Sequence, residues 1–220
     1  MGILPIHRLN EALSYTHNDA RIAHILNTYR GKTLITTSFG TTSALLLHMI
    51  SRIRPNHPIH FIDTGYLFPE TLEYKDLLID RFGLNIITIS PDPEDHTVTN
   101  NNKTWQVNPD LCCFYNKVKP LHKITGNFDV WISGLIGFQN SFRTGLDIVQ
   151  VKENMFRYYP LIDWSKHMVD EYFDFYNLPR HPLESQGFDS LGCTHCTVKG
   201  TNREGRWAST DKNECGLHTI

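Results

Sequence analysis

Apolar and polar positions along this chain follow two alternating periods. Ile22, Ile25, Leu26 and Tyr29 fall at i, i+3, i+4 and i+7, so residues 19–29 predict an amphipathic helix stopped by Gly31. Residues 33–37 follow as a β-branched strand, and the turn Ser38-Phe39-Gly40-Thr41-Thr42-Ser43 opens an apolar helix at 44–50. The rhythm then repeats. A strand at 59–63 ends in Asp63-Thr64-Gly65, and a helix at 70–82 turns Tyr74, Leu77 and Leu78 inward before Gly83. A third strand is expected at 84–89. Residues 90–108 are polar and proline-punctuated, which predicts a long surface excursion. Residues 110–125 predict a helix that Pro120 kinks or divides, and 130–133 a fourth strand ending at Gly134. Farther on, 155–159 is strand-like and 165–176 helical, with Met168, Val169, Tyr172 and Phe175 apolar. After Pro179 no element is legible, and scattered glycines predict a tail laid over the sheet.

Strands alternating with helices imply an α/β fold: a parallel sheet with helices on both faces and ligands at the carboxyl ends of strands. There is no repeat, low-complexity tract or linker, so 1–220 reads as one domain. Within it, 19–192 is the expected α/β core and 193–220 a tail. The 40% hydrophobic and 20% charged content is that of an ordinary globular protein. A net charge of −2 offers no general surface to nucleic acid or membrane, so any anion must be gripped locally. Apolar runs are too short to span a bilayer, and the N-terminal stretch lacks the regions of a signal peptide. Five cysteines, an odd number, suit a reducing cytoplasm better than a disulfide framework. These features predict a soluble cytoplasmic protein.

Three groups of residues carry candidate chemistry. Ser38-Phe39-Gly40 with Ser43 stands at the first strand–helix junction, where backbone N–H groups and a helix N-terminus receive phosphate. It lacks the G-K-[ST] ending of the usual phosphate loop, and hydroxyls before a helix are also common caps. Cys112-Cys113 with Cys193-Thr194-His195-Cys196 has the arithmetic of a four-thiolate metal site. The alternative is four buried thiols, against which Thr194 and His195 are polar for a core segment. Spacing leaves zinc and iron–sulfur open; neighbouring cysteines chelate one zinc awkwardly, whereas a cuboidal cluster offers separate iron corners. Cys215 is the thiol left over, with His218 near it. Lys117, one helical turn after Cys113, and Arg143, Arg203 and Arg206 are cations suited to phosphate or sulfate, although each also reads as a solvated surface charge. Gathered at a thiol, they would lower its pKa.

At this point the chain resembles the thioredoxin-dependent adenylyl-sulfate and phosphoadenylyl-sulfate reductases of assimilatory sulfate reduction and cysteine biosynthesis. The resembling segments include Thr37-Ser38-Phe39-Gly40, Asp63-Thr64-Gly65-Tyr66-Leu67-Phe68-Pro69, Cys112-Cys113 with Lys117, and Tyr159-Pro160-Leu161-Ile162-Asp163-Trp164. They continue in the family's order through Cys193 and Cys196, Arg203 and Arg206, and the terminal Glu214-Cys215-Gly216-Leu217-His218. The resemblance implies an adenine-nucleotide α-hydrolase-like fold with a flexible C-terminal tail. It implies a [4Fe-4S] cluster on Cys112, Cys113, Cys193 and Cys196, and reduction of adenylyl-sulfate to sulfite and AMP. The route would be an S-sulfonate on Cys215, released by thioredoxin or glutaredoxin. Ser38, Phe39, Gly40, Ser43, Asp63, Lys117, Arg143, Arg203 and Arg206 are the expected substrate-binding residues. Most members with both cysteine pairs take adenylyl-sulfate, so the phosphorylated nucleotide, or both, is the alternative substrate. A homo-oligomer is left open.

The chain departs from the family between Gly134 and Gln139. Ile136 and Gly137 stand where two arginines are usual, and Asn140 where serine is. Two other classes stay in view: an ATP-splitting adenylyl transferase of the same fold, and a non-catalytic cluster-bearing redox sensor. The first normally has a Ser-Gly-Gly-x-Asp-Ser loop that this chain does not spell. The second leaves Arg203 and Arg206 without a use.

Overall fold

The computed structural model describes residues 5–208, 210, 212 and 214–219. Residues 1–4, part of the stretch read above for a targeting signal, lie outside the described residues, as do 209, 211, 213 and 220 of the expected tail.

All five residues of β1 (Thr33–Thr37) are buried, as befits an inner strand covered on both faces. β2 (Pro58–Ile62) and then β3 (Asn85–Ile89) extend the sheet on one side of it. On the other side lies β4 (Val130–Ile132), followed by the hairpin β5 (Val149–Lys152) and β6 (Met155–Tyr158), giving the order β3-β2-β1-β4-β6-β5. All neighbours run parallel except β5 and β6. The sequence reading missed β5, a short edge strand with only Val149 fully buried.

Alternate strand residues face opposite sides, and each side has its own apolar cluster. Ile35 and Ile132 join the larger one with Ile22 and Ile25 of α2 (Asn18–Thr28), Leu45 of α3 (Ser43–Ile53) and Tyr74 and Leu78 of α4 (Pro69–Phe82). Leu34 and Trp131 point the other way, to Leu121 and Leu217. Each large side chain removed from water in this way contributes about 1.5–3 kcal/mol. A first helix that the sequence reading did not foresee, α1 (Ile6–Ser14), is tied down by a buried arginine. Arg21 donates to the Leu13 carbonyl at 2.6 Å and pairs both Oδ atoms of Asp163 at 2.9 and 2.7 Å.

Several expectations are corrected. Leu77 is exposed although Tyr74 and Leu78 are buried, because a 14-residue helix against a sheet buries a narrower stripe than three neighbouring apolar residues suggest. The expected surface excursion is largely helical: α5 (Pro93–Asn101), with Asp92 accepting from the Glu94 N–H, and α6 (Thr104–Val107). Its polar composition hides the helix because little of it reaches the core. α7 (Pro109–Cys113) runs through a π turn, Phe114–Val118, into α8 (Lys119–Thr125). Pro120 therefore does not divide this helix; a proline has no N–H to place in the ladder, and the wider turn just before it relieves the clash with the carbonyl four residues back. After β4 come α9 (Ser141–Thr144) and α10 (Lys166–Phe175), in which Val169 and Phe173 are buried while Met168 and Phe175 are exposed, against expectation. The chain closes with α11 (Gly216–Thr219). Among the described residues no helix is long and apolar enough to cross a membrane.

Candidate active site

β1 and β4 are neighbours in the sheet but not in sequence, so the crevice beyond their carboxyl ends is where an α/β sheet presents ligands. An open cleft lies there. Ser38, Gly40 and Ser43 line it, joined by Thr36, Thr37, Thr41 and Thr42 of the same junction and by Ser133 and Gly134 after β4. Two expected residues stand off the wall. Phe39 turns its ring into the core, edge-on to Phe61 at 5.2 Å, and supports the turn from beneath at φ 50°. Asp63 spends its carboxylate on the Gly65 N–H at 2.9 Å, which shapes the turn after β2.

Lys117, Arg143, Arg203 and Arg206 all reach the cleft, and so does Cys215. Arg143 arrives on α9, whose first turn is capped by Asn140 accepting the Arg143 N–H at 2.9 Å. Arg206 lies across Gly192, where any side chain would collide with its guanidinium, and donates to the Leu191 carbonyl at 2.5 Å. Trp207 carries Arg206 on its ring face at 4.4 Å and Arg203 at 5.7 Å.

The sequence reading missed what holds two of these arginines. The Glu214 side chain is fully enclosed, and Arg143 grips both its oxygens, Nε to Oε2 at 2.6 Å and Nη2 to Oε1 at 3.1 Å. Arg203 adds a bond to Oε1 at 2.8 Å. Burial pushes the Glu214 carboxyl upward, but the arginines outweigh it and hold it down at about 2. Burial and the neighbouring Arg143 lower Arg203 to about 9.

Cys113 and Cys215 are close enough to share a hydrogen bond. It lowers Cys215 and raises Cys113. Burial opposes the thiolate on Cys215, while Lys117 and Arg206 favour it. Burial also opposes the charge on Lys117, but the facing Cys193, Cys215 and Cys113 raise it.

Cys112, Cys113, Cys193 and Cys196 line one small adjoining cavity, with Lys117 between it and the cleft. The spaced pair is brought there by a bridge between Leu67 and Cys193 and by the Thr194 N–H donating to the Tyr66 carbonyl at 2.8 Å. Burial, then the nearby Cys193, pushes Cys112 up to about 11. Asn116 Nδ2 sits 3.6 Å from Cys112 Sγ, and the Thr64 hydroxyl 3.3 Å from Cys193 Sγ. Among the described residues no three His, Cys, Asp or Glu side chains converge on a point that would hold a single ion. The four cysteine sulfurs share this one cavity, and Cys112 and Cys193 there carry hydrogen-bonding neighbours of the kind that orient metal-bound thiolates.

The sequence model for the phosphoadenosine phosphosulfate reductase domain matches residues 32–199. An adenosine 5'-phosphosulfate reductase of Salinibacter ruber is 35% identical over 83% of this chain and 76% of its own length. A phosphoadenosine 5'-phosphosulfate reductase of Aliivibrio salmonicida is 33% identical over 98% and 89%. Among solved structures, the phosphoadenylyl-sulfate reductase of Candida auris in a phosphate complex superposes with a TM-score of 0.75 at 24% identity. That likeness covers 90% of this chain and 98% of the other, and it shows a shared fold.

Proposed function

The chain belongs to the phosphoadenosine phosphosulfate reductase domain family, and from that premise we propose that it reduces adenylyl-sulfate to sulfite and AMP. The observation that carries the reading is the seat of Cys215, a thiol at the cationic end of a hydroxyl-lined cleft beside Lys117 and Arg206. The sulfonate and phosphate of the substrate are anionic, so a thiolate can approach only where cations offset the repulsion. Cys215 attacks the sulfonate sulfur, an S–S bond forms, and the sulfur–oxygen bond to phosphate breaks to release AMP. A donor thiolate, from thioredoxin or glutaredoxin in a reducing cytoplasm, then attacks Cys215 Sγ and sulfite departs. The mixed disulfide left behind is resolved by the donor's second thiol.

We assign Cys112, Cys113, Cys193 and Cys196 to a [4Fe-4S] cluster. When bound, it would tie the two cysteine pairs together and supply negative charge behind Lys117. With Cys113 held as a ligand, Lys117, the Leu217 N–H and Arg206 would be the groups favouring the Cys215 thiolate. The choice of adenylyl-sulfate over its 3′-phosphorylated form is supported by charge. Among the described residues the lysines and arginines lining the cleft are Lys117, Arg143, Arg203 and Arg206, all at the tail end.

The test is sulfite release from each nucleotide with reduced thioredoxin, with a parallel incubation lacking the donor. Adenylyl-sulfate should be preferred, and without donor the C-terminal peptide should gain the mass of one SO₃ on Cys215. Cys215→Ser should retain the protein's colour and lose turnover. An adduct on another cysteine would end the proposed chemistry. A kcat/KM about tenfold higher for the phosphorylated form, or about 1.4 kcal/mol, would reverse the substrate assignment.

A further inference from the structure

A carboxylate sealed from water is costly unless donors surround it, and Glu214 has donors from four residues. Besides the bonds from Arg143 and Arg203, Asn140 Nδ2 stands 3.3 Å from Oε2. The fourth is the peptide N–H of Cys215, which donates to Oε1 at 2.9 Å. The same oxygen atom therefore receives both a guanidinium fixed in the cleft wall and the backbone of the reactive residue. On the far side of Cys215 the chain is held again: Leu217 packs into the apolar cluster of Leu34 and Trp131, and Lys152 Nζ donates to the His218 carbonyl at 3.1 Å. Cys215 is suspended between a polar clamp and an apolar one.

We propose that Glu214 is a positioning residue for Cys215. Its carboxylate stays on Arg143 and Arg203 during the reaction, orienting the Cys215 peptide so that the thiol faces Lys117 and Arg206. Those two cations are then left to grip the sulfonate, while Arg143 and Arg203 serve the tail. This inference rests on the reductase reading above. The opposing reading is that the carboxylate only occupies an anion seat until the substrate displaces it.

The two readings have opposite signs for Glu214→Gln, which keeps the size and removes the charge. Positioning predicts a kcat lower by at least about tenfold with the nucleotide KM changed by less than about threefold. It also predicts backbone amide exchange over residues 215–218 faster by about tenfold or more, with the visible colour unchanged. Glu214→Asp retains the charge and should recover part of the lost kcat. Displacement predicts a lower KM, kcat held, and tighter binding of inorganic phosphate by the glutamine variant; any of these would overturn the proposal. So would unchanged tail exchange. If the wild-type protein released sulfite from neither nucleotide, the reductase reading would fall. The exchange comparison needs no substrate and would still decide whether Glu214 holds the tail.

Discussion

The rings of Trp105 and His195 lie face to face, 4.0 Å between centroids and 7° between planes. Tyr66 meets both edge-on, at 5.4 and 5.3 Å, and all three line the cavity of the four cysteines. An aromatic side chain of this kind covers roughly 150–250 Å², so Trp105→Ala would remove a wall between the sulfurs and solvent. Anaerobically prepared wild-type protein should be brown with about four irons per chain. The alanine variant should load to the same level but bleach in air at least about threefold faster, followed by visible absorbance. Equal bleaching rates would show that the stack does not shield the site. Stoichiometric zinc without iron or acid-labile sulfide would remove the cluster altogether.

His181 is a second buried group with a definite protonation state. It accepts the Leu183 N–H on Nδ1 at 3.2 Å, so the ring hydrogen sits on Nε2, 3.1 Å from the Thr71 hydroxyl. Protonating Nδ1 would set two donors against each other, and burial already pushes the group down to about 4 from 6.5. Between those values the unfolded chain binds the extra proton, so stability falls as pH falls. The full difference is on the order of 3 kcal/mol. Glu214, held at about 2 against an ordinary 4.5, adds a second loss below about pH 5, in the same direction. Urea midpoints at pH 7, 5.5 and 4 should drop more steeply for wild type than for His181→Asn above pH 4. Parallel slopes for the two proteins would remove His181 from this account.

What the sequence made legible follows the range of each signal. The β1–turn–α3 unit could be read because its strand, hydroxyl turn and apolar helix are contiguous, and the structure places it at the cleft. Cys112, Cys113, Cys193 and Cys196 were legible through their residue type, which narrows the chemistry to a few options. The clamp on Glu214 was not legible, since Arg143 lies 71 residues away and an acid beside a cysteine carries no local pattern. For the same reason Arg143 and Arg203 read as free anion ligands, although the fold gives them a carboxylate from the chain itself. Phe39 and Asp63 were drawn in by their neighbours; only the direction of a side chain, which a turn decides, separates them from Ser38 and Ser43.

Ile136 and Gly137, which replace two usual arginines, are part of the core and not an open surface waiting for charge. The Ile136 side chain is fully buried in the larger apolar cluster. Gly137 donates its N–H to the Ile162 carbonyl at 2.9 Å, and a Cβ there would lie 2.5 Å from that same oxygen. Backbone cannot yield as a flexible side chain does, so even Gly137→Ala should cost about 1–3 kcal/mol. Ile136→Arg would bury an unpaired guanidinium at a cost of several kcal/mol. Reinstating the charges one at a time should therefore lower the urea midpoint of each variant and leave kcat/KM for the 3′-phosphorylated nucleotide no higher. The local backbone is hydrogen-bonded to the Ile162 carbonyl, so a second anion site at this loop would need the 159–164 segment to move as well. An Ile136→Arg protein of wild-type stability, with at least about a tenfold gain on the phosphorylated nucleotide, would show that the loop can turn outward and that the missing charges set substrate choice.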